Sequence, residues 1–183
     1  GIAAAVTNNQ TGVASIGFRC KILPVKVTAD NDFRAGGSAY ILRGYTGIAY
    51  AAMMGAKVIN CSWGGGGGSQ FEQDIINFAT QQGALVVAAA GNNNSGNFFS
   101  PAGYANVLGV GATDQLDHKA AFSNFGETVD VSSPGVDIYN TFFPSTYAVL
   151  HGTSMASPLV AGLAGLVRWK FPNLSPVQAG EQI

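Results

Sequence analysis

One stretch near the end of this 183-residue chain decides its fold: Gly152-Thr153-Ser154-Met155-Ala156-Ser157-Pro158-Leu159-Val160-Ala161-Gly162. Gly152 permits a tight turn into a helix. The run of small and apolar residues after it predicts a helix from about Ser154 to Lys170. Ser154 then lies at the start of a helix, where unpaired N–H groups and the helix dipole favour negative charge. Pro158 is expected where the helix still has no internal use for an N–H. From this stretch alone, Ser154 is either a helix cap or a nucleophile.

A second polar residue follows a buried strand upstream. The apolar run Ala84 to Ala90 predicts that strand, and Gly91 and Asn92 come directly after it. Open α/β sheets place their sites at the carboxyl ends of strands. An asparagine amide offers two N–H donors without a charge, which suits the stabilisation of a transient oxyanion. The alternative is an ordinary turn asparagine.

The remaining pattern alternates strands and helices. Helices are predicted over 38–54, from Ser69 to Gly83 and after the N-cap Ser175. Strands are predicted over 21–27, 57–62, 84–90, 106–112, 128–132, 137–143 and 146–150. Continuous apolar strands separated by helices indicate a parallel sheet covered on both faces. The predicted fold class is therefore α/β, with three layers and a mostly parallel central sheet.

The second helix and the glycine run before it carry finer predictions. Ser69 and Glu72 form a capping-box pattern, and Phe71, Ile75, Phe78 and Ala79 share one helical face. The glycines of 64–68 join a predicted strand directly to this helix, and the amino-acid composition is similar on the two sides of the run. An ordered loop, whose backbone approaches another group closely, is expected there rather than a flexible linker.

The composition excludes several classes of function. Nine Lys and Arg against ten Asp and Glu give a net charge of −1, which does not fit a nucleic-acid-binding protein. A chain that is 47% hydrophobic and 10% charged collapses rather than staying disordered. No apolar run approaches the roughly 18 residues that a membrane helix needs.

Two cysteines are too few for a disulfide framework. Cys20 begins one predicted strand and Cys61 ends a neighbouring one, so about 20 Å separates them, beyond the distance that a disulfide can bridge. Free thiols are predicted. Cys61 is expected to pack in the core rather than act as a nucleophile.

Taken together, these segments resemble the subtilisin-like serine peptidases, the subtilase family. The matching motifs occur in the family's order along the whole chain. They are Val-Lys-Val at 25–27, Val-Ile-Asn-Cys-Ser-Trp-Gly at 58–64, Ala-Ala-Ala-Gly-Asn at 88–92, Ser-Pro-Gly at 133–135 and Gly-Thr-Ser-Met-Ala-Ser-Pro at 152–158.

The resemblance implies specific roles for the motif residues. Ser154 would be the nucleophile, and its N–H with the Asn92 side chain would form the oxyanion hole. A substrate peptide would be clamped as a strand between two segments, Ser62-Trp63-Gly64 on one side and Gly36-Gly37-Ser38 on the other.

The first specificity pocket is also implied by the resemblance. Ala89, Ala90 and Gly91 would line it. From its position a few residues past Asn92, Phe99 is expected near the floor of this pocket, where it would make the pocket shallow.

The chain departs from the family pattern in lacking two motifs, Asp-Ser/Thr-Gly and His-Gly-Thr-His-Val-Ala-Gly. Gly1-Ile2-Ala3 resembles the residues that directly follow the His motif, so residues 1–183 are interpreted as the C-terminal two-thirds of a peptidase domain. Neither His118, in a polar loop, nor His151, in the approach to Ser154, is expected to replace the general base. The chain alone is predicted to be essentially inactive, and marginally stable because the family's Asp strand is central in the sheet.

The resemblance further implies a calcium loop at residues 7–13. Its ligands would be the main-chain oxygens of Thr7, Thr11 and Val13 and the side chain of Asn9, with the remaining ligands supplied from elsewhere; a solvent-exposed turn is the alternative. No cofactor is expected for the chemistry. The implied partners are protein or peptide substrates and a pro-segment, and the implied location is extracellular or at the cell surface.

Two rival functions stay open. A non-catalytic pseudopeptidase or binding module of the same fold would hold peptides in the same groove. An esterase of the α/β-hydrolase type needs Gly-x-Ser-x-Gly, and Ala156 stands where its second glycine would be.

Overall fold

The computed structural model describes residues 1–29 and 40–183. Its helices are α1 (Gly44–Met53), α2 (Gln70–Gln81), α3 (Thr153–Lys170) and α4 (Pro176–Gly180). Its strands are β1 (Val58–Cys61), β2 (Gly65–Gly66), β3 (Leu85–Ala89), β4 (Phe99–Ser100), β5 (Val107–Thr113), β6 (Val131–Pro134), β7 (Ile138–Phe142) and β8 (Thr146–Leu150).

Four strands form a parallel central sheet in the order β1-β3-β5-β6. Helices α1 and α2 cover one face, where Ile48 and Ile76 pack with Val86. Helix α3 runs across all four strands on the other face, where Ala156 packs with Val87. Because both faces of β3 are covered, all five of its residues are buried, which explains its uninterrupted apolar sequence. The predicted three-layer α/β fold is confirmed.

The predicted strand over 21–27 is wrong. Among residues 1–29 and 40–183 this segment has no ladder partner, and a groove of about 760 Å³ lies between it and β1. It is held through other contacts: the Arg43 N–H donates to the Val27 carbonyl oxygen, and the Val27 side chain lies against Gly47 of α1. An apolar β-branched sequence therefore stays extended without becoming a strand, because pairing needs a neighbour within hydrogen-bond distance.

Two helices differ from their predicted form. Helix α1 begins at Gly44, and residues 40–43 before it are not helical. In α2 the buried residues are Ile76 and Ala79, whereas Phe71, expected on the same face as Ala79, is exposed.

The predicted capping box of α2 is only half formed. Ser69 Oγ accepts from the Glu72 N–H, as expected. The Glu72 carboxylate instead accepts a hydrogen bond from the Tyr104 hydroxyl, and the Ser69 N–H donates to that same hydroxyl at 2.8 Å. A tyrosine 32 residues away thus takes the place of the local contact.

The glycine run is an ordered loop, as predicted. Gly65 and Gly66 pair antiparallel with Ser100 and Phe99. A Cβ on Gly64 would lie 2.3 Å from the Ser100 carbonyl oxygen, so this position requires glycine.

One of the three strands predicted after residue 121 has different bounds in the structure. The strand expected over 128–132 is Val131–Pro134, whereas β7 and β8 form a hairpin near the predicted positions.

Within residues 1–29 and 40–183, none of the helices combines the length and apolarity needed to cross a bilayer. Cys20 and Cys61 are free thiols, as predicted.

Candidate active site

Ser154 is the second residue of α3 and lies where β8 passes into that helix. Its N–H therefore has no partner within the helix. The side chain is half-buried, and its hydroxyl donates to the main-chain oxygen of Ser62 at 3.2 Å. Ser62 directly follows β1, so the carboxyl end of the sheet and the start of α3 meet at this serine.

The side-chain amide of Asn92 is oriented by Thr153. Asn92 Oδ1 accepts two hydrogen bonds, from the Thr153 N–H and from the Thr153 hydroxyl, each at 2.9 Å. Thr153 is fully buried, and its Oγ1 also accepts from the Gly91 N–H at 3.2 Å. With the oxygen held in this way, Nδ2 is the part of the amide left for a ligand.

Gly152 keeps the space between two N–H donors open. Its φ is +143°, a conformation that side chains rarely adopt. A Cβ at this position would lie 3.4 Å from Asn92 Nδ2 and 3.6 Å from the Ser154 nitrogen. Both nitrogens therefore border one small open volume, the arrangement that an oxyanion hole requires.

Pro158 does not lie in the first turn of α3, contrary to the prediction. It is the sixth residue of the helix, where its missing N–H leaves the Ser154 carbonyl oxygen without the usual helical donor. Ser62 Oγ donates to that oxygen instead, at 2.9 Å. Asn60 links the contact to the helix, because its Nδ2 donates to Ser62 Oγ and its Oδ1 accepts from the buried Ser157 hydroxyl.

Sequence reasoning missed Asn124, which braces the turn that carries Asn92. This buried side chain donates to the Ala90 carbonyl oxygen at 2.8 Å and accepts from the N–H groups of Asn93 and Ser95. Its only sequence signal is a polar pair, Ser123-Asn124, between two phenylalanines. Nothing local indicates that this pair reaches a turn 30 residues away.

A depression of about 240 Å³ opens beside Ser154. It is lined by Trp63, Gly64, Ala89, Gly91, Asn92, Asn93, Phe99, Thr153 and Ser154. The sequence-predicted pocket residues Ala89 and Gly91 are therefore at its wall, whereas Ala90 is fully buried behind it. Gly36 and Gly37, predicted to face Ser62-Trp63-Gly64, lie outside the described residues.

An aromatic cluster packs against Trp63, which lines the pocket. The Trp63 and Tyr45 rings pack edge to face with centroids 5.6 Å apart, and the Tyr45 and Tyr104 centroids are 6.3 Å apart. Gly44 makes room for the indole, since a Cβ there would lie 2.5 Å from Trp63 Cη2. Burial raises the pKa of both Tyr45 and Tyr104, so the two phenols stay neutral at ordinary pH.

Neither histidine of the chain is paired with Ser154. His118 lies 3.6 Å from an oxygen of Asp114, and His151 Nδ1 accepts from the Asp137 N–H at 3.1 Å. Both imidazoles are exposed in their own loops. The expectation that neither replaces the general base thus agrees with their positions.

The predicted calcium loop is tightly wound. Asn8, Gln10 and Gly12 have φ values of +59°, +58° and +68°, and Asn9 Oδ1 accepts from the Thr11 N–H at 3.1 Å. The donor set is carbonyl and amide oxygen, which suits a hard cation such as calcium. Four such oxygens are fewer than the roughly six to eight that calcium takes, so the loop fits only as part of a site.

Cys61 is 1% exposed in β1, and burial raises the pKa of its thiol from 9.0 to about 12. A thiol that remains protonated is a poor nucleophile. This agrees with the interpretation of Cys61 as core packing.

Comparisons with known proteins extend the motif resemblance to the whole chain. The subtilase family profile matches residues 1–183. Thermitase of Thermoactinomyces vulgaris is 48% identical over 179 residues, which is 98% of this chain and 62% of thermitase. Subtilisin Savinase of Lederbergia lenta is 42% identical over 174 residues, 95% of this chain and 63% of that protein.

Solved structures give the same result. A protease from Pseudoalteromonas arctica superposes with a TM-score of 0.88 at 31% identity, over 99% of this chain and 60% of that one. The chain thus spans about three-fifths of the length of these relatives. A profile match along all 183 residues, on a fold of this similarity, places the chain in the subtilase family of subtilisin-like serine proteases.

Proposed function

We propose that the protein containing this chain is a serine endopeptidase that forms an acyl-enzyme on Ser154. One observation carries the proposal: Asn92 Nδ2 and the Ser154 nitrogen border the same open volume at Gly152, and Asn92 and Ser154 line the same depression. Helix-terminal N–H groups and an oriented amide at one point favour a charge that exists only in the transition state.

The reaction follows from these positions. Ser154 Oγ attacks the scissile carbonyl carbon while its proton passes to a base, and the carbonyl oxygen becomes an oxyanion bound by Ser154 N–H and Asn92 Nδ2. The C–N bond then breaks, the leaving amine takes the proton, and the acyl group stays on Ser154. Water hydrolyses this ester in a second addition and elimination.

The general base and the carboxylate that orients it belong, in this proposal, to residues outside residues 1–183. His118 and His151 are engaged by Asp114 and Asp137 in other loops. In this chain the Ser154 hydroxyl donates to Ser62 O rather than to an imidazole. The chain alone is accordingly expected to be essentially inactive.

The substrate is proposed to be a protein or peptide in extended form. Ser62, Trp63 and Gly64 offer a backbone segment beside the nucleophile, and Trp63 and Gly64 border the pocket. Gly36 and Gly37 are proposed to supply the facing edge. A pro-segment before maturation and an extracellular or cell-surface location belong to the same proposal.

Hydrolysis of a protein substrate tests the function. The full-length protein should cleave unfolded protein chains at internal bonds, and Ser154→Ala should abolish cleavage because no other hydroxyl occupies its place. Ser95→Ala is the matched control, since Ser95 lies in the neighbouring loop and its hydroxyl accepts from the Asn97 N–H. Equal cleavage by wild type and Ser154→Ala would overturn the proposal.

A non-catalytic peptide-binding module is the alternative. It predicts that the full-length protein binds extended peptides tightly and leaves them intact. Binding of a labelled peptide without any cleavage, by a sample that is folded by circular dichroism, would favour that alternative.

A structural calcium ion is proposed at Thr7, Asn9, Thr11 and Val13. Its effect would be stabilising, because an ion that binds only the folded state raises the free energy of unfolding. The thermal midpoint of the full-length protein should rise with calcium and fall with a chelator. Asn9→Ala should remove that response, and an unchanged response would contradict this assignment.

A further inference from the structure

Phe99 occupies an unusual place in the pocket beside Ser154. It belongs to β4, where it pairs with Gly66 and forms a bridge to Gly67. Its side chain is half-buried and lines the pocket together with Ser154. β4 thus places an aromatic ring in a cavity that is also lined by three residues with little or no side chain, Gly64, Ala89 and Gly91, and by Trp63 and polar residues around Ser154.

The ring stands between the two walls of the pocket. On one edge, Phe99 Cε1 and Cδ1 lie 2.4 and 3.0 Å from the position a Cβ on Gly64 would take. On the opposite edge, Phe99 Cδ2 lies 3.1 Å from the corresponding position on Gly91. The ring therefore spans the gap between Gly64, in the segment Ser62-Trp63-Gly64, and Gly91, which follows the end of β3.

The ring is held in this position. The turn that carries Gly91 is braced by Asn124, whose side chain donates to the Ala90 carbonyl oxygen at 2.8 Å. Gly64 directly precedes Gly65, which pairs with Ser100 in the short ladder of β2 and β4. Two glycines provide the room that the ring fills, so a substrate side chain cannot take that room as well.

The space that remains is small and uncharged. Ser154, Thr153 and Asn92 also border the 240 Å³ depression, so part of that volume is where the scissile peptide group itself would lie. Its lining includes no charged side chain within the described residues, which leaves an acidic or basic substrate side chain without a partner.

We propose that Phe99 restricts this pocket to small uncharged side chains, so that the enzyme cleaves after glycine, alanine or serine and discriminates against large aromatic and long aliphatic residues. The inference rests on the proposed peptidase function and adds its substrate class. The discrimination comes from overlap with the ring, since a well-packed site rejects added volume.

The test compares chromogenic peptides that differ only in the residue before the scissile bond, alanine or phenylalanine. The full-length protein should favour the alanine peptide by about tenfold or more in kcat/KM. Phe99→Ala should raise kcat/KM for the phenylalanine peptide by roughly 10–100-fold and reverse the preference. Phe99→Val, which suits a strand, should give an intermediate ratio and serves if the alanine variant does not fold.

Phe98→Ala is the matched control. Phe98 is the adjacent aromatic residue, but its ring packs on Tyr104, with centroids 5.2 Å apart, and borders Gly68 and Gly103 instead of the pocket. Its substitution should leave the preference between the two peptides unchanged.

Binding of peptide aldehydes, measured by calorimetry, separates this inference from the proposed function. Hydrolysis that favours phenylalanine, or a preference that Phe99→Ala leaves unchanged, overturns the role of Phe99 while the peptidase assignment stands. An absence of hydrolysis, together with tighter binding of the alanine aldehyde than of the phenylalanine aldehyde, overturns the peptidase assignment and supports the pocket inference.

Discussion

At the scale of single residues, the decisive feature is an amide whose direction is set by its neighbour. Thr153 donates twice to Asn92 Oδ1, so Nδ2 is left beside the Ser154 N–H. In the proposed peptidase the amide would thereby be arranged before substrate arrives, so that no reorganisation is needed during reaction. This geometry makes Asn92 a donor of definite orientation rather than a loosely held turn residue.

Asn92→Asp should therefore impair turnover. An aspartate keeps an oxygen for Thr153 but replaces the donor with a negative charge, so kcat of the full-length protein should fall by roughly 10²–10³ with little change in KM. That magnitude is the one established for the loss of an oxyanion-hole donor in subtilisin, a member of this family. Asn97→Asp, at an exposed asparagine of the same loop, should leave kcat unchanged. An unaltered kcat in Asn92→Asp would contradict the assigned role.

The buried thiol of Cys61 predicts a loss of stability at alkaline pH. Burial raises its pKa from 9.0 to about 12, so the folded state keeps the proton that the unfolded state releases. This contribution is fully present below pH 9 and is lost as the pH rises from 9 towards 12. The free energy of unfolding of wild type, measured in urea on either side of pH 9, should fall more steeply with pH than that of Cys61→Ala. Parallel curves for the two proteins would contradict it.

At the scale of elements, the junction of β1 with α3 depends on a proline. Pro158 cannot donate to the Ser154 carbonyl oxygen, and Ser62 Oγ supplies that hydrogen bond from the end of β1. This hydrogen bond, at the position where the helix lacks a donor, joins the backbone of Ser154 to the end of β1.

A double-mutant cycle measures the coupling free energy between Ser62, which supplies the hydrogen bond, and Pro158, which lacks the helical donor. Ser62→Ala should destabilise the protein by about 1–3 kcal/mol, because it leaves the Ser154 oxygen unpaired. Pro158→Ala restores a helical N–H, so Ser62→Ala should cost less in that background, by about 0.5 kcal/mol or more. Urea unfolding of the four full-length proteins gives the coupling. Equal costs in both backgrounds would show that Ser62 Oγ does not replace the missing donor.

The elements that the sequence predicts well are those specified by their own residues. Strand β3 is buried on both faces, so its apolar run is unambiguous, and Ser175 caps α4 through a local capping box with Gln178. The failures occur where a distant residue decides. Tyr104 diverts Glu72 from its cap, and Asn124 reaches the turn of Asn92 from another loop. Segment 21–27 has strand-forming residues, but no strand pairs with it in the part of the chain that the structure describes.

At the scale of the whole molecule, the sheet has an unpaired edge. Within the described residues β1 is the outermost strand on its side, and the groove of about 760 Å³ beside it is lined by apolar side chains such as Val25, Val27 and Ile59. Unpaired N–H and C=O groups next to apolar surface are a template for pairing with another chain. Ile22 and Met54, 65% and 57% exposed, extend the apolar surface.

Residues 1–183 expressed alone should therefore self-associate. Sedimentation velocity should show concentration-dependent oligomers, and a dye that fluoresces on apolar surface should bind more strongly than to the full-length protein. A monomer with the same thermal midpoint as the full-length protein would show that the exposed edge of β1 has no such consequence.

The central claim is that Ser154 is a nucleophile activated in the full-length protein, and a fluorophosphonate probe tests it most directly. The probe phosphonylates a serine only where a base removes the hydroxyl proton and an oxyanion hole receives the phosphoryl oxygen. Mass spectrometry of the labelled full-length protein should place the phosphonyl group on Ser154 and on no other serine, with no labelling of Ser154→Ala. An unlabelled Ser154, under conditions in which a control serine peptidase reacts completely, would contradict the account.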